Sequence, residues 1–248
     1  MTRKQLSLLA AAGIMSLAGS LTSAASALEI ISNGGFETGN FTGWIVAENG
    51  TIGALSVETS AITPNSGLAT VGSASGNYYA LSDSLLGEYA LIQSFAVAPS
   101  LSATLSFSLF VNDQNGSAPV IDPSGLDHTT GGSFDPNQHV RVDILSASAT
   151  PFATGNDVLQ SLYLGGATGP ASVNPYRFFS FDLTNLLDIG GTYQLRFAGV
   201  SNQDFLNVGI DSVSLQVSSV PEPENFALLL IGLSALGWSL KRNQRRSR

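Results

Sequence analysis

The side chains best suited to proton transfer or transition-metal binding are scarce, because the sequence contains two histidines and no cysteine. Neither His128 nor His139 lies in a His-x-x-x-His or Cys/His metal spacing. No Gly-x-Ser-x-Gly turn, phosphate loop or dinucleotide fingerprint occurs. A hydrolytic carboxylate pair or a Ser-His-Asp triad can be assembled on paper, but we expect no catalytic residues, with both histidines in solvent-exposed loops.

Asp211 is a carboxylate in an otherwise apolar strand pattern. In an extended chain Asp211, Val213, Leu215 and Val217 project to one face, so the sequence predicts that Asp211 lies at the rim of the core. An unpaired carboxylate there is costly and needs a cation or several donors. Two alternatives remain open: Ca²⁺, a hard ion that prefers oxygen ligands, or backbone N–H groups at the start of the strand.

The elements that must position these residues are strands. Apolar and polar residues alternate at 105–111, 140–144 and 193–197, which is typical of strands with one buried face. Further strand candidates, separated by Gly, Asn, Asp, Ser and Pro, are 28–32, 44–48, 53–58, 77–82, 89–97, 157–164, 175–183 and 207–217. Only Thr184 to Ile189 suggests a helical turn. The pattern predicts an all-β fold, a single β-sandwich of jelly-roll type.

We expect one domain over residues 28–220. Its 193 residues suffice for a substantial core. It contains three arginines, no lysine and sixteen acidic residues, a formal net charge of −13 that would repel a phosphate backbone, so nucleic acid is excluded as a partner. Residues 112–138 form a long polar insertion in which Asp113, Asp122, Asp127 and Asp135 do not follow an EF-hand spacing. We interpret it as a flexible loop, with a binding loop or second calcium site as alternatives.

Both ends of the chain carry export signals. Arg3 and Lys4 precede an uncharged stretch, and Ala25 and Ala27 supply a small-x-small cleavage pattern, which predicts a signal peptide over residues 1–27. Residues 226–240 are uncharged and would span about 22 Å as a helix, a marginal membrane span. The basic tail 241–248 would stay in the cytoplasm, so the domain would face outward. Retained membrane helices at either end are the alternatives.

The C-terminal end resembles a known sorting signal. Pro221, Glu222 and Pro223, a short apolar helix and an arginine-rich end resemble the PEP-CTERM type. The resemblance implies an exosortase-type enzyme that recognises Pro-Glu-Pro, a transient membrane anchor, and a destination at the cell surface or in an extracellular matrix. It also implies a host that makes exopolysaccharide or biofilm. It covers residues 220–248 and implies nothing about the activity of the domain.

The two edges of the domain carry a second resemblance. The run 33–37 (Asn-Gly-Gly-Phe-Glu), followed by Gly43 and Trp44, resembles the opening of galactose-binding-like jelly rolls, which include many carbohydrate-binding modules. The run 208–215 resembles their closing strand. The resemblance implies a structural Ca²⁺ held by Glu37 and Asp211. We expect Asn33, Gly34 and Gly35 to form a turn, and Phe36, Trp44, Tyr78 and Tyr79 to pack in the core.

Three functions follow from these observations. We favour an exported, non-catalytic surface or matrix protein associated with exopolysaccharide or biofilm and sorted by an exosortase-type system. A carbohydrate-binding module, with extracellular polysaccharide as its partner, is the alternative. An enzyme that acts on polysaccharides comes last.

Overall fold

The computed structural model describes residues 27–52, 55–114, 119–121, 125–129, 136–167, 173–219 and 232–234. Ala27–Val220 forms one compact unit. The predicted signal peptide, apart from Ala27, and the predicted sorting signal, apart from 232–234, lie outside the described residues. Within the described part of the chain, no helix is long and apolar enough to cross a membrane.

The described part of the domain is built of strands, as the sequence predicts. They are β1 (Leu28–Glu29), β2 (Ile45–Ile52), β3 (Leu55–Glu58), β4 (Tyr79–Ser84), β5 (Leu86–Val97), β6 (Ser100–Asp113), β7 (Gln138–Ser146), β8 (Val158–Gly165), β9 (Arg177–Asp182), β10 (Gly191–Ser201) and β11 (Leu206–Ser219). A 3-10 turn, Gly155–Asp157, precedes β8. The expected helical turn is α1, Thr184–Leu187.

The strands form two antiparallel sheets. Sheet A has the order β3-β4-β11-β6-β9, with β1 paired to β11 outside this path. Sheet B has the order β2-β5-β10-β7-β8. The last strand, β11, thus lies between β4 and β6, and β10 lies between β5 and β7. The all-β sandwich predicted from the sequence is confirmed.

The core lies between the inner faces of the sheets. Leu105, Phe107 and Leu109 of β6 are buried there, which confirms the alternation seen in the sequence. The ring of Phe107 packs edge-on against that of Phe197 on β10, with 5.2 Å between centroids. Such aromatic pairs join the two sheets and add about 0.5–1.5 kcal/mol beyond the area that they bury.

The outer face of sheet B is also buried, which the sequence did not indicate. Arg196 and Asp143 alternate with core residues and were expected to face water, yet both are fully buried. The turn that follows β7 covers them, because the Arg196 guanidinium donates to the carbonyls of Pro151 and Ala153 at 2.9 and 2.7 Å. The polar side chains on the outer face of these strands are therefore buried under a loop and do not contact solvent.

The outer face of sheet A lies under residues 59–78, which we call the cover segment. Tyr79, Leu81 and Phe110 are buried in a small cluster on this face. The Tyr79 hydroxyl donates to the Ser60 carbonyl at 2.8 Å, which ties the cover segment to β4. Gly209 lies beneath the Phe110 ring, and a Cβ there would come within 2.0 Å of a ring carbon.

A bulge in β11 contradicts the predicted position of Asp211. The pairing of β11 with β6 shifts between Asp211 and Ser214, and Ser212 has a φ of 54°. Ile210 and Val213 both belong to the core, so the alternation changes phase between them. Asp211 therefore does not share a face with Val213 and Leu215; it is fully buried on the outer side, against the cover segment.

Candidate functional site

The cover segment joins the two carboxylates that the sequence singled out. Glu37 Oε1 accepts the backbone N–H groups of Asn77 and Tyr78 at 2.9 and 3.0 Å. Asp211 Oδ2 accepts those of Ala74 and Ser75 at 2.8 and 2.9 Å. The first and last parts of the domain thus hold one loop from two sides.

The surroundings of Asp211 match the second alternative left open by the sequence, a carboxylate satisfied by backbone donors. Its Oδ1 accepts the N–H of Ser212 at 2.5 Å. Burial raises the pKa of the Asp211 carboxyl above its ordinary value, although hydrogen bonds from Ser75, Ser212 and Ala74 oppose the shift. Backbone donors engage three of the four oxygens of the Glu37 and Asp211 carboxylates, so calcium coordination stays a prediction.

The predicted turn and core roles near the N-terminal edge are confirmed. Asn33 has a φ of 49°, and a Cβ on Gly34 would come within 1.8 Å of the Val213 carbonyl oxygen, so only glycine fits there. Phe36 and Trp44 are buried with their ring centroids 5.6 Å apart. Tyr78 packs against the core, but the prediction for Tyr79 was wrong, because it is buried in the cluster on the outer face of sheet A and not in the core between the sheets.

The sorting and cleavage residues are not brought into any site by the structure. Pro221, Glu222, Pro223 and Ala25 lie outside the described residues. Ala27 is described and exposed. Export, sorting and membrane anchoring therefore stay predictions.

The histidines are not the exposed loop residues that we expected. His139 lies on β7, is fully buried, and its Nδ1 is 3.0 Å from Asn137 Oδ1. His128 lies outside the strands, but its side chain is only 14% exposed and its Nδ1 contacts Glu88 Oε2. The expectation failed because residues 125–129 pack onto the outer face of sheet B instead of extending into solvent.

A cleft of about 170 Å³ opens at one end of sheet A, where β6 ends and β11 begins. Its lining combines apolar side chains with amides and a carboxylate: Leu68, Ala69, Asn112, Asp113, Gln114, Val173 and Asn207. Sequence reasoning missed this cleft. Asn112 and Asn207 stood at the boundaries of predicted strands, and only the pairing of β6 with β11 makes them neighbours.

Two buried amides of the cleft keep one polar atom each without a partner. Asn112 is 6% exposed, and its Nδ2 has no hydrogen-bond partner among the described residues. Asn207 is fully buried, and its Oδ1 likewise has none within the described part of the chain. A buried polar group without a partner costs about 1–3 kcal/mol, so both atoms need a partner, supplied by a bound ligand or by ordered water.

Neighbouring groups fix the orientation of both amides. Asn112 Oδ1 accepts the Asn174 backbone N–H at 2.8 Å, and because that group can only donate, the oxygen must face it. Asn207 Nδ2 donates to Asp83 Oδ1 at 2.6 Å, and an ionised carboxylate can only accept. A flip of either amide would lose its existing bond, so the unpaired atoms are one N–H₂ donor and one carbonyl acceptor, both buried in the wall of the cleft.

Comparison with known proteins gives structural likenesses alone. No protein-family model matches the chain, and no curated protein matches it. The TmCBM61 structure in complex with β-1,4-galactotriose has 13% identity and a TM-score of 0.45, over 76% of this chain and 97% of that one. The K3 cleaved adhesin domain of Lys-gingipain from Porphyromonas gingivalis has 16% identity and a TM-score of 0.47, over 77% of this chain and 99% of that one.

A third solved structure, the CBM22-1 xylan-binding domain from Paenibacillus barcinonensis, has 11% identity and a TM-score of 0.43, over 80% of this chain and 100% of that one. Likenesses this distant assign no function to the chain. Its function must be argued from its own side chains.

Proposed function

We propose that residues 28–220 form a non-catalytic carbohydrate-binding module whose ligand enters the cleft at Asn112 and Asn207. The observation that carries the proposal is the pair of fixed, unpaired amide atoms in this cleft. A sugar hydroxyl is both donor and acceptor, so hydroxyls of a ligand that reaches these buried atoms can pair with Asn112 Nδ2 and with Asn207 Oδ1. This is the alternative function that the sequence left open.

The size and lining of the cleft support a small part of a glycan as the ligand. Pockets for drug-sized ligands measure about 300–1,000 Å³, whereas this cleft measures about 170 Å³ and has room for only a small part of a glycan. Leu68, Ala69 and Val173 offer apolar surface to the C–H face of a sugar ring. Asp113 and Gln114 add polar groups at the same opening.

The strand order supports a jelly roll as the form of the sandwich. Along the chain, β4 to β7 alternate between the sheets, β8 stays in sheet B beside β7, and β9 to β11 alternate again, which gives β4-β11-β6-β9 in one sheet and β5-β10-β7-β8 in the other. The last two strands, β10 and β11, each enter between two earlier ones, as in two interleaved Greek keys. In this arrangement the closing strand β11 pairs with β6 and brings Asn207 beside Asn112.

The proposal includes export and display, supported by the sequences of the two termini. A signal peptide over residues 1–27 and sorting at Pro221–Pro223 would place the module at the cell surface or in an extracellular polysaccharide. Mass spectrometry of the protein from its native host tests this step. We expect a C terminus close to Pro223, and a chain intact through Arg248 would show that no sorting cleavage occurs.

A glycan array of neutral and uronic-acid-containing oligosaccharides, followed by calorimetric titration of each bound oligosaccharide, tests binding by the purified chain. Asn112→Asp keeps the acceptor for the Asn174 N–H but removes the unpaired donor. Asn207→Leu removes the unpaired acceptor together with the donor to Asp83, so circular dichroism must first show that this variant is folded. We expect each variant to weaken binding at least tenfold, about 1.4 kcal/mol, because one hydrogen bond to the ligand is lost.

Asn185→Ala is the matched control, because Asn185 is an exposed amide on α1. It should bind as the wild type does, and no oligosaccharide should be cleaved. If no glycan binds, or if both cleft variants bind as tightly as the wild type, the proposal fails.

A further inference from the structure

A second polar cluster lies on the outer face of sheet B and joins the β6–β7 connection to the sheet. Glu88 of β5, Asp127 and His128 each offer one ligand atom, and the three atoms all lie within 4.8 Å of one another. Glu88 is 6% exposed, whereas Asp127 and His128 are partly exposed. The cluster is therefore anchored on its buried side and open to solvent on the other.

The chain around the cluster is held by packing and by hydrogen bonds. Leu126 is 3% exposed and packs among apolar residues of β5 and β10: Ala90, Ile92, Ala198 and Val200. The backbone N–H of His128 donates to Glu88 Oε2 at 3.0 Å, and Asn49 Nδ2 donates to Glu88 Oε1 at 2.7 Å. These contacts place the His128 ring beside the buried carboxylate before any ligand binds.

The charges at the cluster favour a cation. Two carboxylates share the site with one imidazole, and the arginines of the domain are engaged elsewhere. Arg141 and Arg196 pair with Asp143, and Arg177 lies over the ring of Phe179. In this structure Glu88 contacts His128 Nδ1 and Asp127 accepts from Thr129, and a divalent ion that replaced the Glu88–His128 contact would balance the charge of both carboxylates.

We propose that Glu88, Asp127 and His128 bind a divalent transition-metal ion of the zinc type. The ligand set decides the class of ion: an imidazole nitrogen with two carboxylate oxygens suits Zn²⁺ and its neighbours, whereas Ca²⁺ takes oxygen ligands. Three protein ligands leave at least one coordination position for water or a ligand oxygen. The site is separate from the cleft and from the pair Glu37 and Asp211.

The ion would fasten the connection between β6 and β7 to the sheet. Two ligands come from residues 125–129 and the third from β5, so the bound ion would link this segment to the strand. An ion that binds only this folded arrangement stabilises it by mass action. Binding should therefore protect the 125–129 segment from proteolysis as well as raise the melting temperature.

Calorimetric titration of the tag-free, full-length chain with Zn²⁺ tests the proposal, and Co²⁺ serves as the spectroscopic probe. The background is low because the chain has two histidines and no cysteine. We expect one equivalent of Zn²⁺ to bind, with Ca²⁺ unable to compete. Glu88→Gln and His128→Gln should each weaken binding at least tenfold, and His128→Gln should also change the visible Co²⁺ spectrum.

Asp188→Asn is the matched control, since it removes one negative charge from an exposed position after α1 and should leave Zn²⁺ binding unchanged. If circular dichroism shows that Glu88→Gln unfolds the chain, Asp127→Asn replaces it, because Asp127 is only half-buried. The assignment is overturned if the wild type binds no Zn²⁺, or if the folded His128 and Asp127 variants bind it as tightly as the wild type.

Discussion

The outer faces of the two sheets bury different kinds of polar group, an ion-paired network on sheet B and neutral amides on sheet A. On sheet B the Asp143 carboxylate lies between two arginines. Arg141 donates to it at 2.7 and 2.9 Å, and Arg196 donates at 2.6 Å. Arg196 also donates to the carbonyls of Pro151 and Ala153. Each charge there has an opposite charge within hydrogen-bonding distance.

On sheet A two buried amides at the cleft are neutral and incompletely paired. Asn112 and Asn207 each use one amide atom within the fold and leave the other without a partner among the described residues. The difference separates two roles for buried polar residues. The charged network binds a turn to its sheet and contributes to stability, whereas the amides keep hydrogen-bonding capacity for a ligand at a cost in stability.

The largest expected effect comes from breaking the charged network. Asp143→Ala leaves Arg196 fully buried without its counter-ion, which typically costs about 3–5 kcal/mol of unfolding free energy. For a domain of this size that corresponds to roughly 6–20 °C in melting temperature. Thermal and denaturant unfolding measure the loss, and glycan binding by the fraction that remains folded should not change.

The double variant Asp143→Leu with Arg196→Met is the control for this prediction. Removing both charges avoids the uncompensated ion, so the double variant should be much more stable than Asp143→Ala. Asp188→Asn, an exposed carboxyl after α1, should leave the melting temperature unchanged. If Asp143→Ala melts at the same temperature as the wild type, the charged network around Asp143 does not stabilise the domain.

The strands could be predicted from the sequence because their signal is local. All eleven predicted strands correspond to strands of the structure, and the helical turn at Thr184 is present. The alternation of apolar and polar residues predicts the inner faces correctly because the apolar side chains of these strands all pack into one core between the sheets. The same alternation assigned Arg196 and Asp143 to solvent, since nothing local shows that a distant turn covers them.

The sites depend on contacts that the sequence does not show. A bulge with a positive φ at Ser212 moves Asp211 out of the predicted phase, and no glycine or asparagine at that position signals it. The cleft requires Asn112 and Asn207, ninety-five positions apart, to be cross-strand partners. His128 and Glu88 likewise meet only because residues 125–129 return to β5.

A smaller effect is expected at Asp211, the buried charge on sheet A that is satisfied by backbone donors. Asp211→Asn exchanges one acceptor oxygen for an amide donor, so the N–H groups of Ala74 and Ser75, or that of Ser212, lose their partner. We expect a loss of about 1–3 kcal/mol of unfolding free energy at pH 7, measured by denaturant unfolding in a chelator. Asp188→Asn is again the exposed control.

The difference in unfolding free energy between the wild type and Asp211→Asn depends on pH. The direction of this dependence distinguishes a carboxylate bound by backbone N–H groups from one that binds calcium. Because burial raises the pKa of folded Asp211 above 3.8, the folded state takes up a proton before the unfolded state does. In chelator, the stability of the wild type relative to Asp211→Asn should therefore rise as pH falls through the folded pKa, then level off below 3.8.

Calcium bound by Glu37 and Asp211 would reverse this slope, because the ion favours the carboxylate and lowers its folded pKa. With Ca²⁺ at about 100 times its Kd, the wild type should gain about 2.7 kcal/mol at pH 7 and lose it as pH falls, whereas Asp211→Asn should gain much less. Glu37→Gln should reduce the gain in the same way. Identical pH profiles in Ca²⁺ and in chelator would show that Asp211 is held by backbone donors alone.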